Sequence, residues 1–404
     1  MSDKTLKPNW KLVKFGDVVH QIKDRVADIE NCGLTEYTRG EHFESGNLHF
    51  IGRSKIGDGQ HGSAFHMRFK PRDVLYVSRN PQLRKVAVAD YEGICANTSY
   101  VYRADRENLI QELLPFIMQT EEFVDYTIQH KRGSTNFYLN PSDIEPYEFF
   151  LPPLDEQRRI ASLLWAADNV ISRHQDLLEK VSLLKKSAIY NSTRRSQITE
   201  KLKKTGFGEL PETWTAEPLG TLLEAVQYGL SMPLHEKGEY PVFRMMNIID
   251  GKMVANDMKY IDLSESEFRN YKANKGDILF NRTNSADLVG KLGIFDLVGD
   301  YVFASYLIRL VAKKDLVLPE YLNYYLNSEE GQRRISAFAT AGVSQTNINA
   351  SNLQRVLVPV PPLAEQSQII SQLKQVDDSK QAIIEHIENS QELKKQLIAE
   401  FLGK

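Results

Sequence analysis

One short stretch occurs twice in the sequence: residues 152–157 are PPLDEQ and residues 361–366 are PPLAEQ. The offset is 209 residues (361 − 152), and it continues downstream without a gap, so that Asp168 corresponds to Asp377. It also holds upstream, in the loop that precedes each stretch. A repeat that covers half the chain predicts two units of similar structure, because both copies carry the same pattern of apolar and turn residues.

A long amphipathic helix is predicted to follow each copy. Two prolines end the preceding strand, and the acidic residues that come next lie in the first helical turn, where the helix dipole favours negative charge. After the first copy, apolar residues recur three and four positions apart across residues 160–188, a heptad pattern whose polar exception is His174. The second copy repeats this pattern, diluted by Ser379, Lys380 and Ser390.

These two helices are expected to pack on each other as an antiparallel pair. Residues 155–190 would extend about 54 Å at 1.5 Å per residue, which is more than one small domain can cover. In the pair, His174 would be a polar core position that fixes the register, with a pH switch or a ligand site as alternatives. The residues predicted for the seam and the subunit interface are Leu164, Ile171, Leu178, Leu184, Leu373, Ile383, Ile387 and Leu393.

The remaining sequence predicts two similar domains. Residues 72–79 and 275–282 share an Asp-(Val/Ile)-Leu…Arg pattern, matched so that Arg79 corresponds to Arg282 with one residue inserted in the first copy. The expected fold class is α+β: two similar mixed α/β domains separated by a long antiparallel two-helix coiled coil, with an internal pseudo-two-fold repeat. The expected boundaries are domain 1 at residues 1–153, helix 1 at 154–195, a linker at 196–212, domain 2 at 213–362 and helix 2 at 363–404.

The composition is that of an ordinary globular protein, with 42% hydrophobic and 25% charged residues among 404. The formal net charge is −3, so any basic surface must be local and balanced by acidic residues elsewhere. Cys32 and Cys95 form no CxxC pair and no His/Cys cluster, which fits a reducing cytoplasm and predicts no metal site. The first residues are polar and no apolar run reaches about 18 residues, so a cytoplasmic location without a membrane segment is expected.

Positive charge clusters beside Gly, Ser and Asn turns, which fits a groove for a phosphate backbone, with solvated surface as the alternative. Candidate phosphate contacts are Arg53, Lys55, Arg79, Arg84, Lys85 and Arg132 in the first domain and Arg244, Arg282 and Lys291 in the second. Hydroxyl and amide side chains near the glycine turns suit base edges, although they also cap turns locally. Candidate base contacts are Ser134, Thr135, Asn136, Ser344, Gln345 and Asn347.

The chain resembles the specificity subunit of type I restriction-modification systems. The resemblance rests on the repeated PPLxEQ before a long helix, the repeated Asp-(Val/Ile)-Leu…Arg segment and the Gly…Asn loop before each PPL, and it covers nearly the whole chain. It implies two target-recognition domains held apart by the helix pair, each recognising one half of an asymmetric, interrupted site in double-stranded DNA. It also implies that the helices dock two modification subunits, which methylate adenine at N6, and that restriction/translocase subunits join through them.

The resemblance further implies a non-catalytic chain without a cofactor or metal of its own. S-adenosylmethionine would be bound by the modification subunit, and ATP and Mg²⁺ by the restriction subunit. The residues agree, because the sequence contains no Asn/Asp-Pro-Pro-aromatic motif and no GxxxxGK[ST] loop. The Gly-rich run at residues 57–62, GDGQHG, lacks the strand-to-helix context of a phosphate-binding loop and is expected to be a plain turn. Two alternatives remain: a coiled-coil adaptor with two protein-binding heads, and the specificity subunit of a fused restriction-methylation enzyme.

Overall fold

The chain forms two compact units. Its structure is a computed structural model, which describes residues 9–29, 31–193, 201–285, 289–341 and 346–403. Unit 1 consists of Met1–Asp176 and Ile384–Lys404, and unit 2 consists of Leu177–Ile383. Each unit therefore contains one domain together with part of each long helix.

Unit 1 is built from short strands in small sheets. The strands are β1 (Lys11–Lys14), β2 (Val19–Ile22), β3 (Glu36–Thr38), β4 (Ser54–Lys55), β5 (Phe65–Phe69), β6 (Val74–Val77), β7 (Val86–Val88), β8 (Gly93–Ala96), β9 (Ser99–Ala104) and β10 (Glu148–Leu151). One sheet has the order β2-β9-β6-β7 and is antiparallel throughout. Another has the order β4-β3-β8-β5, in which β3 and β8 are parallel. Strand β6 is an apolar run buried on both faces, as expected of a central strand.

The helices of unit 1 complete its core. They are α1 (Phe15–Val18), α2 (Leu114–Ile117), α3 (Glu121–Gln129), α4 (Pro141–Ile144), the first part of α5 (Leu154–Ser192) and the last part of α10 (Leu363–Leu402). Thr120 caps α3, because its hydroxyl accepts from the backbone N–H of Phe123 at 3.2 Å. Ile160 and Leu164 of α5 and Ile398 of α10 belong to the same buried apolar cluster as Phe123.

Unit 2 has a similar framework with different connections. Its strands are β11 (Leu202–Thr205), β12 (Gly208–Pro211), β13 (Thr215–Pro218), β14 (Leu223–Tyr228), β15 (Tyr240–Phe243), β16 (Ile248–Ile249), β17 (Lys252–Met253), β18 (Lys259–Ile261), β19 (Ile278–Asn281), β20 (Thr283–Asn284), β21 (Leu292–Ile294), β22 (Val302–Phe303), β23 (Leu307–Ala312), β24 (Thr340–Ala341), β25 (Thr346–Asn347) and β26 (Leu357–Val360). The largest sheet has the order β14-β23-β19-β21-β17-β16, and a smaller one has the order β18-β15-β22. Strand β13 pairs with β26 just before the helix, as β1 pairs with β10 in unit 1.

The helices of unit 2 are α6 (Glu265–Tyr271), α7 (Pro319–Leu326), α8 (Glu329–Ser336), α9 (Ala350–Leu353), the last part of α5 and the first part of α10. Mixed sheets beside two long helices confirm the expected α+β class. No helix in the described parts of the chain combines the length and the apolar character that crossing a membrane requires.

The segment expected to be a linker contributes to unit 2. Residues 196–200 lie outside the described residues, but β11 and β12 form an antiparallel hairpin. Phe207 and Leu210 of this hairpin are buried in the main core of the unit. The segment was interpreted as a linker because most of its residues are charged or typical of turns. Two buried apolar side chains nevertheless suffice to pack the hairpin against the core.

The repeated motif makes the same hydrogen bonds in both units. In unit 1, the buried side chain of Gln157 accepts from the N–H of Ile110 at 3.0 Å and donates to the carbonyl of the first proline of its own motif at 2.9 Å. In unit 2, Gln366 accepts from the N–H of Leu318 and donates to the equivalent proline carbonyl, both at 2.8 Å. A buried amide must find partners for its donors and its acceptor. The glutamine therefore joins each helix start to a specific backbone segment of its domain.

The two helix segments run antiparallel within each unit. In unit 1, Asp168 of α5 contacts Lys394 of α10, and His174 of α5 stacks on His386 of α10. A residue later in α5 therefore contacts a residue earlier in α10. In unit 2, the last part of α5 contacts the first part of α10, which requires the same direction. These contacts confirm the expected antiparallel packing. The expectation that His174 occupies the core of the seam is wrong, since this side chain is only half-buried and its partner is exposed.

Of the eight residues named for the subunit interface, most are buried, but two are not. The buried ones are Leu164, Ile171, Leu373, Ile383 and Ile387, and Leu178 is half-buried. Leu184 and Leu393 were wrongly placed in the seam, since they are 63% and 53% exposed. The apolar stripe of α5 is wider than the seam. Leu163, Val170 and Leu177 at the predicted heptad positions are exposed, whereas Leu164 and Ile171, one position further on, are buried.

Leu164→Asp and Leu184→Asp should differ sharply in their effect on folding. Leu164→Asp places an unpaired charge in a dry core and should lower the free energy of unfolding by about 4 kcal/mol or more. Leu184→Asp changes an exposed position and should have an effect within about 0.5 kcal/mol. Denaturant unfolding of both variants beside the parent measures the difference. Equal destabilisation by the two substitutions would contradict this assignment of the seam.

Candidate nucleic-acid interface

A short hairpin presents polar residues at the surface of unit 1. Arg132 and Tyr138 exchange backbone hydrogen bonds of 2.8 and 3.0 Å, with residues 133–137 as the loop between them. Gly133 has a φ of +88°, and a Cβ there would come within 2.8 Å of the carbonyl oxygen of Asn136, so the loop requires glycine. The exposed side chains of the loop include the three predicted base contacts of this domain, Ser134, Thr135 and Asn136.

Cationic and aromatic side chains flank this hairpin. The guanidinium of Arg79 lies 5.7 Å from the centre of the Tyr138 ring, and the ammonium of Lys131 lies 4.0 Å from the centre of the Phe137 ring. Arg79 is exposed and makes no ion pair with any described residue. An exposed arginine beside an aromatic ring can contact a phosphate while the ring packs on sugar or base.

The corresponding part of unit 2 is a small sheet with the order β20-β25-β24. Arg282 donates from Nε to the carbonyl of Ser305 at 2.9 Å and from Nη1 to Oδ1 of Asn347 at 3.3 Å. Its guanidinium also lies 5.0 Å from the centre of the Tyr228 ring. A predicted phosphate contact and a predicted base contact thus lie side by side. The other predicted base contacts of this domain lie outside the described residues: Ser344 and Gln345.

Backbone hydrogen bonds correct the match between the two copies. The N–H of Leu139 donates to the carbonyl of Ser78 at 3.1 Å, and the N–H of Ile348 donates to the carbonyl of Arg282 at 2.9 Å. Ser78 is therefore the counterpart of Arg282, and the match of Arg79 with Arg282 is wrong by one residue. Successive side chains of a strand point to opposite faces. The two arginines consequently place their charge on different faces of equivalent segments.

The other predicted phosphate contacts are spread over the two units. Five are held by groups of their own unit: Arg53 by Glu36 and Asp90, Arg84 by Glu121, Lys85 by the carbonyl of Gly40, Arg132 by Asp143, and Arg244 by Asp257. Lys55 lies exposed on β4, and Lys291 lies exposed beside a cleft next to the helices. An arginine paired with a carboxylate must share that partner before it can bind a phosphate. Arg79 and Arg282 have no carboxylate partner among the described residues and also lie beside the candidate base contacts, which makes them the best-placed candidates for a direct contact.

Sequence reasoning missed the aromatic part of both surfaces. Tyr138, Tyr228 and Tyr306 are all exposed large side chains. In the sequence they follow or precede strand patterns, where a tyrosine suits a core position as well as a surface position. Only the tertiary register shows which face each one occupies, so no sequence signal could have identified them.

A buried ion pair joins the helices of unit 1 to its domain. Lys394 of α10 donates to Oδ1 of Asp168 of α5 at 2.6 Å, and the two side chains are only 7% and 4% exposed. His49, from the domain, lies with Nε2 2.8 Å from Oδ2 of the same carboxylate. Burial by itself raises the pKa of Asp168, but the hydrogen bond from His49 and the charge of Lys394 outweigh it and hold the pKa below its ordinary value. The same hydrogen bond raises the pKa of His49.

Unit 2 contains an equivalent cluster. We call each such cluster, an aspartate and a lysine from the two helices with one side chain of the domain, a joint. Asp377 lies 209 positions after Asp168, Lys185 lies 209 positions before Lys394, and the carboxylate and ammonium are 2.5 Å apart. The third group is Tyr324, whose hydroxyl donates to Oδ2 of Asp377 at 2.8 Å. Burial and this carboxylate raise the pKa of Tyr324. The charge pair therefore recurs, while the domain contributes a different side chain.

Each joint lies in the wall of a cleft within its own unit. The cleft of unit 1 has a volume of about 510 Å³, and that of unit 2 about 960 Å³. Each cleft is also bordered by a glycine with positive φ, Gly46 at +75° and Gly251 at +79°. The carbonyl of Gly46 accepts from the ammonium of Lys394 at 3.3 Å. In the described part of the chain, no three His, Cys, Asp or Glu side chains are grouped so that they could hold a metal ion.

The chain thus consists of two units of one design. Each unit has an exposed polar segment beside an arginine, and each is joined to a long helix by the same motif. The chain belongs to the family described as the type I restriction modification DNA specificity domain, whose model matches residues 8–183 and again residues 211–394.

Curated relatives carry the same description. The chain is 31% identical over 208 residues to the putative type I restriction enzyme MjaX specificity subunit of Methanocaldococcus jannaschii, which covers 51% of this chain and 49% of that protein. It is 26% identical over 261 residues to the type I restriction enzyme EcoKI specificity subunit of Escherichia coli K12, which covers 61% and 55%. The match thus spans about half the length of these two relatives. With the MjaVIII specificity subunit of M. jannaschii it is longer, covering 92% of this chain and 86% of the relative at 23% identity.

Two solved structures share the fold. One comes from a study of complex assembly and conformational transition of the type I R-M system, with a TM-score of 0.59 and 21% identity over 98% of both chains. The other is the type I restriction-modification S subunit from M. genitalium, with a TM-score of 0.58 and 13% identity over 99% of this chain and 98% of that chain. At these identities the likeness shows the fold alone.

His49→Gln should make the stability of unit 1 less dependent on pH. The ordinary pKa of histidine is 6.5 and that of His49 is raised, so its charged hydrogen bond to Asp168 contributes fully below pH 6.5 and is lost as the pH rises through the raised value. The other groups facing the ring are Lys394, Asp90 and the indole of Trp165. The variant should unfold at a lower temperature than the parent near pH 6 and at nearly the same temperature well above the raised pKa.

Tyr324→Phe is the matched control for this experiment, because the phenol with its raised pKa stays protonated throughout the range. Its difference from the parent should be independent of pH. Thermal unfolding followed across the range measures both variants. A His49→Gln difference that stays constant with pH would contradict the role assigned to His49.

Proposed function

We propose that this chain is the non-catalytic DNA-recognition subunit of a type I restriction-modification complex. Each domain would recognise one half of a bipartite, interrupted site in double-stranded DNA. The observation that carries the proposal is the double match of one DNA-specificity family to the two halves of the chain. Each half also contains an exposed polar segment with an arginine beside a tyrosine. Two separate recognition surfaces on one chain suit a site with two specific parts.

Phosphate and base contacts are proposed to come from different side chains of these surfaces. Arg79 and Arg282 would contact phosphates, which position the protein without specifying a sequence. The loop residues 134–136 and Asn347 would contact base edges, because hydroxyl and amide groups match the donor and acceptor pattern of the major groove. Ser344 and Gln345 are proposed for the same role. The remaining predicted cations would supply longer-range attraction to the duplex.

The helices are proposed to dock two adenine-N6 methyltransferase subunits, and through them the restriction/translocase subunits. Exposed apolar side chains on α5 support this role: Leu163 and Val170 in unit 1, and Leu177 and Leu184 in unit 2, each pair spaced by seven residues. A helix that exposes apolar side chains at this spacing offers anchors for another helix. S-adenosylmethionine would then be bound by the modification subunit, and ATP and Mg²⁺ by the restriction subunit.

The alternative of a coiled-coil adaptor with two protein-binding heads differs in its affinity for DNA. An adaptor needs no local basic surface, whereas a DNA-recognition subunit binds even random duplex at low salt through phosphate contacts. A fused restriction-methylation enzyme would retain the same DNA surfaces on this chain and would differ in the partner that docks on the helices.

Arg79→Ala and Arg282→Ala should each weaken binding to random and cognate DNA alike. Each should also reduce the slope of log binding constant against log salt by about one unit, since one phosphate contact releases about one counterion. Fluorescence anisotropy with a duplex oligonucleotide at several salt concentrations measures this. Arg158→Ala is the control, because Arg158 is exposed on α5 and paired with Asp155. Absence of salt-dependent binding by the parent would favour the adaptor, and equal slopes in all variants would remove the two arginines from the interface.

A further inference from the structure

We propose that Asp168 and Asp377 are positioning residues, each of which fixes the angle at which one recognition domain leaves the helices and thereby restricts the spacing of half-sites that the chain accepts. This inference rests on the proposed function, and it concerns the joint between domain and helices and not the DNA-contacting residues.

Each aspartate joins three separate elements through its two oxygens. In unit 1, Oδ1 of Asp168 accepts from Lys394 on the other helix, and Oδ2 is bonded to His49 of the domain. In unit 2 the division is the same: Oδ1 of Asp377 lies 2.5 Å from the Lys185 ammonium, and Oδ2 accepts from the hydroxyl of Tyr324. A carboxylate that bridges three elements restrains all three relative to one another.

The recurrence of the pair is not explained by stability alone. Removing two charges from water costs free energy, and well-packed apolar residues in place of a buried ion pair are often equally or more stabilising. The neighbouring positions of the two copies have diverged: Val170 corresponds to Ser379 and Ile171 to Lys380. The charge pair occurs in both copies. A hydrogen-bonded ion pair fixes the relative orientation of the groups that it joins, whereas apolar contact does not.

The joint lies where it can brace the domain. Gln157 attaches the start of α5 to the domain, and Asp168 attaches the helix again 11 residues further on (168 − 157). The distance from Gln366 to Asp377 is the same (377 − 366). Eleven residues of helix extend about 16 Å. Because a cleft lies beside each joint, close packing does not restrain the domain on that side.

Loss of the contact between the aspartate and the domain should therefore let the domain rotate about its remaining attachment at the glutamine. At an arm of about 16 Å, a displacement of roughly 3 Å rotates the domain by about 10°. The rise of one base pair is about 3.4 Å. A loosened joint should thus admit a spacer that is one base pair longer or shorter, while the half-site sequences stay the same because the base-contacting loops are unchanged.

The test expresses the full chain with its modification partner in cells and maps methylated adenines across the genome. His49→Ala and Tyr324→Phe remove the domain side chain that bonds each aspartate. They leave the aspartate–lysine pair intact, and in unit 1 also the 3.3 Å contact of Lys394 with the carbonyl of Gly46, so no buried charge loses its partner. We expect methylation at spacers one base pair from the parent spacing to rise at least about tenfold relative to the parent. His49→Gln, which retains a donor, should restore the single spacing. His20→Ala changes an exposed histidine elsewhere in domain 1 and should behave as the parent.

Asp168→Asn provides a second, stronger perturbation, and the melting temperatures of all variants show whether they fold. A uniform fall in methylation at the single parental spacing would mean that the joint is only structural and would overturn the inference. So would a wild-type pattern from His49→Ala and Tyr324→Phe together. If the parent itself gives no bipartite motif, the proposed function fails, and that outcome is distinct from a parent with a bipartite motif whose variants do not relax.

Discussion

The buried side chains of Gln157 and Gln366 set the point at which each long helix leaves its domain. Their amide groups are satisfied by backbone of the domain and by the proline that ends the preceding strand. The adjacent glutamate of each motif accepts from a tryptophan indole, Trp10 in unit 1 and Trp214 in unit 2. A buried polar group without its partner is costly, so these contacts admit one helix direction. The cleft, the charge pair and the packing of the second helix all lie further along the helices and depend on that direction.

Apolar burial and polar contacts have different tasks here. The cores of both units extend onto the helices through residues such as Leu164 and Leu373, and burial of this kind supplies most of the favourable free energy of folding. Apolar burial is non-directional. The apolar surface of α5 is larger than the area that packs in the seam, and Leu184 therefore stays exposed. The aspartate–lysine pairs contribute little net stability, because desolvation offsets their attraction. What they add is a specific register of the two helices within each unit, because each carboxylate must lie opposite its ammonium partner.

The duplicated fold could be predicted from the sequence. The 209-residue offset indicates two similar units, and the heptad pattern indicates a long helix after each copy of the motif. Sequence reasoning placed the candidate base contacts 134–136 beside Gly133, and the structure shows these residues exposed in a loop, while their role stays a prediction. It could not show that residues 202–211 form a hairpin, because two buried apolar residues are a weak signal among charges. It also misplaced Arg282 by one position, since matching residue types says nothing of hydrogen-bond register. Which cations remain unpaired depends on tertiary neighbours, as the contrast between Arg79 and Arg53 illustrates.

Under the proposed function, each domain would recognise its half of a two-part DNA site independently of the other domain. The most direct test replaces residues 1–153 with a second copy of residues 213–362 in the full chain and maps the methylated motif made with the modification partner. The account predicts that both specific parts of the motif become the same sequence in inverted orientation. A folded chimera that still methylates the asymmetric motif of the parent would contradict it, because recognition would then lie outside the exchanged domain.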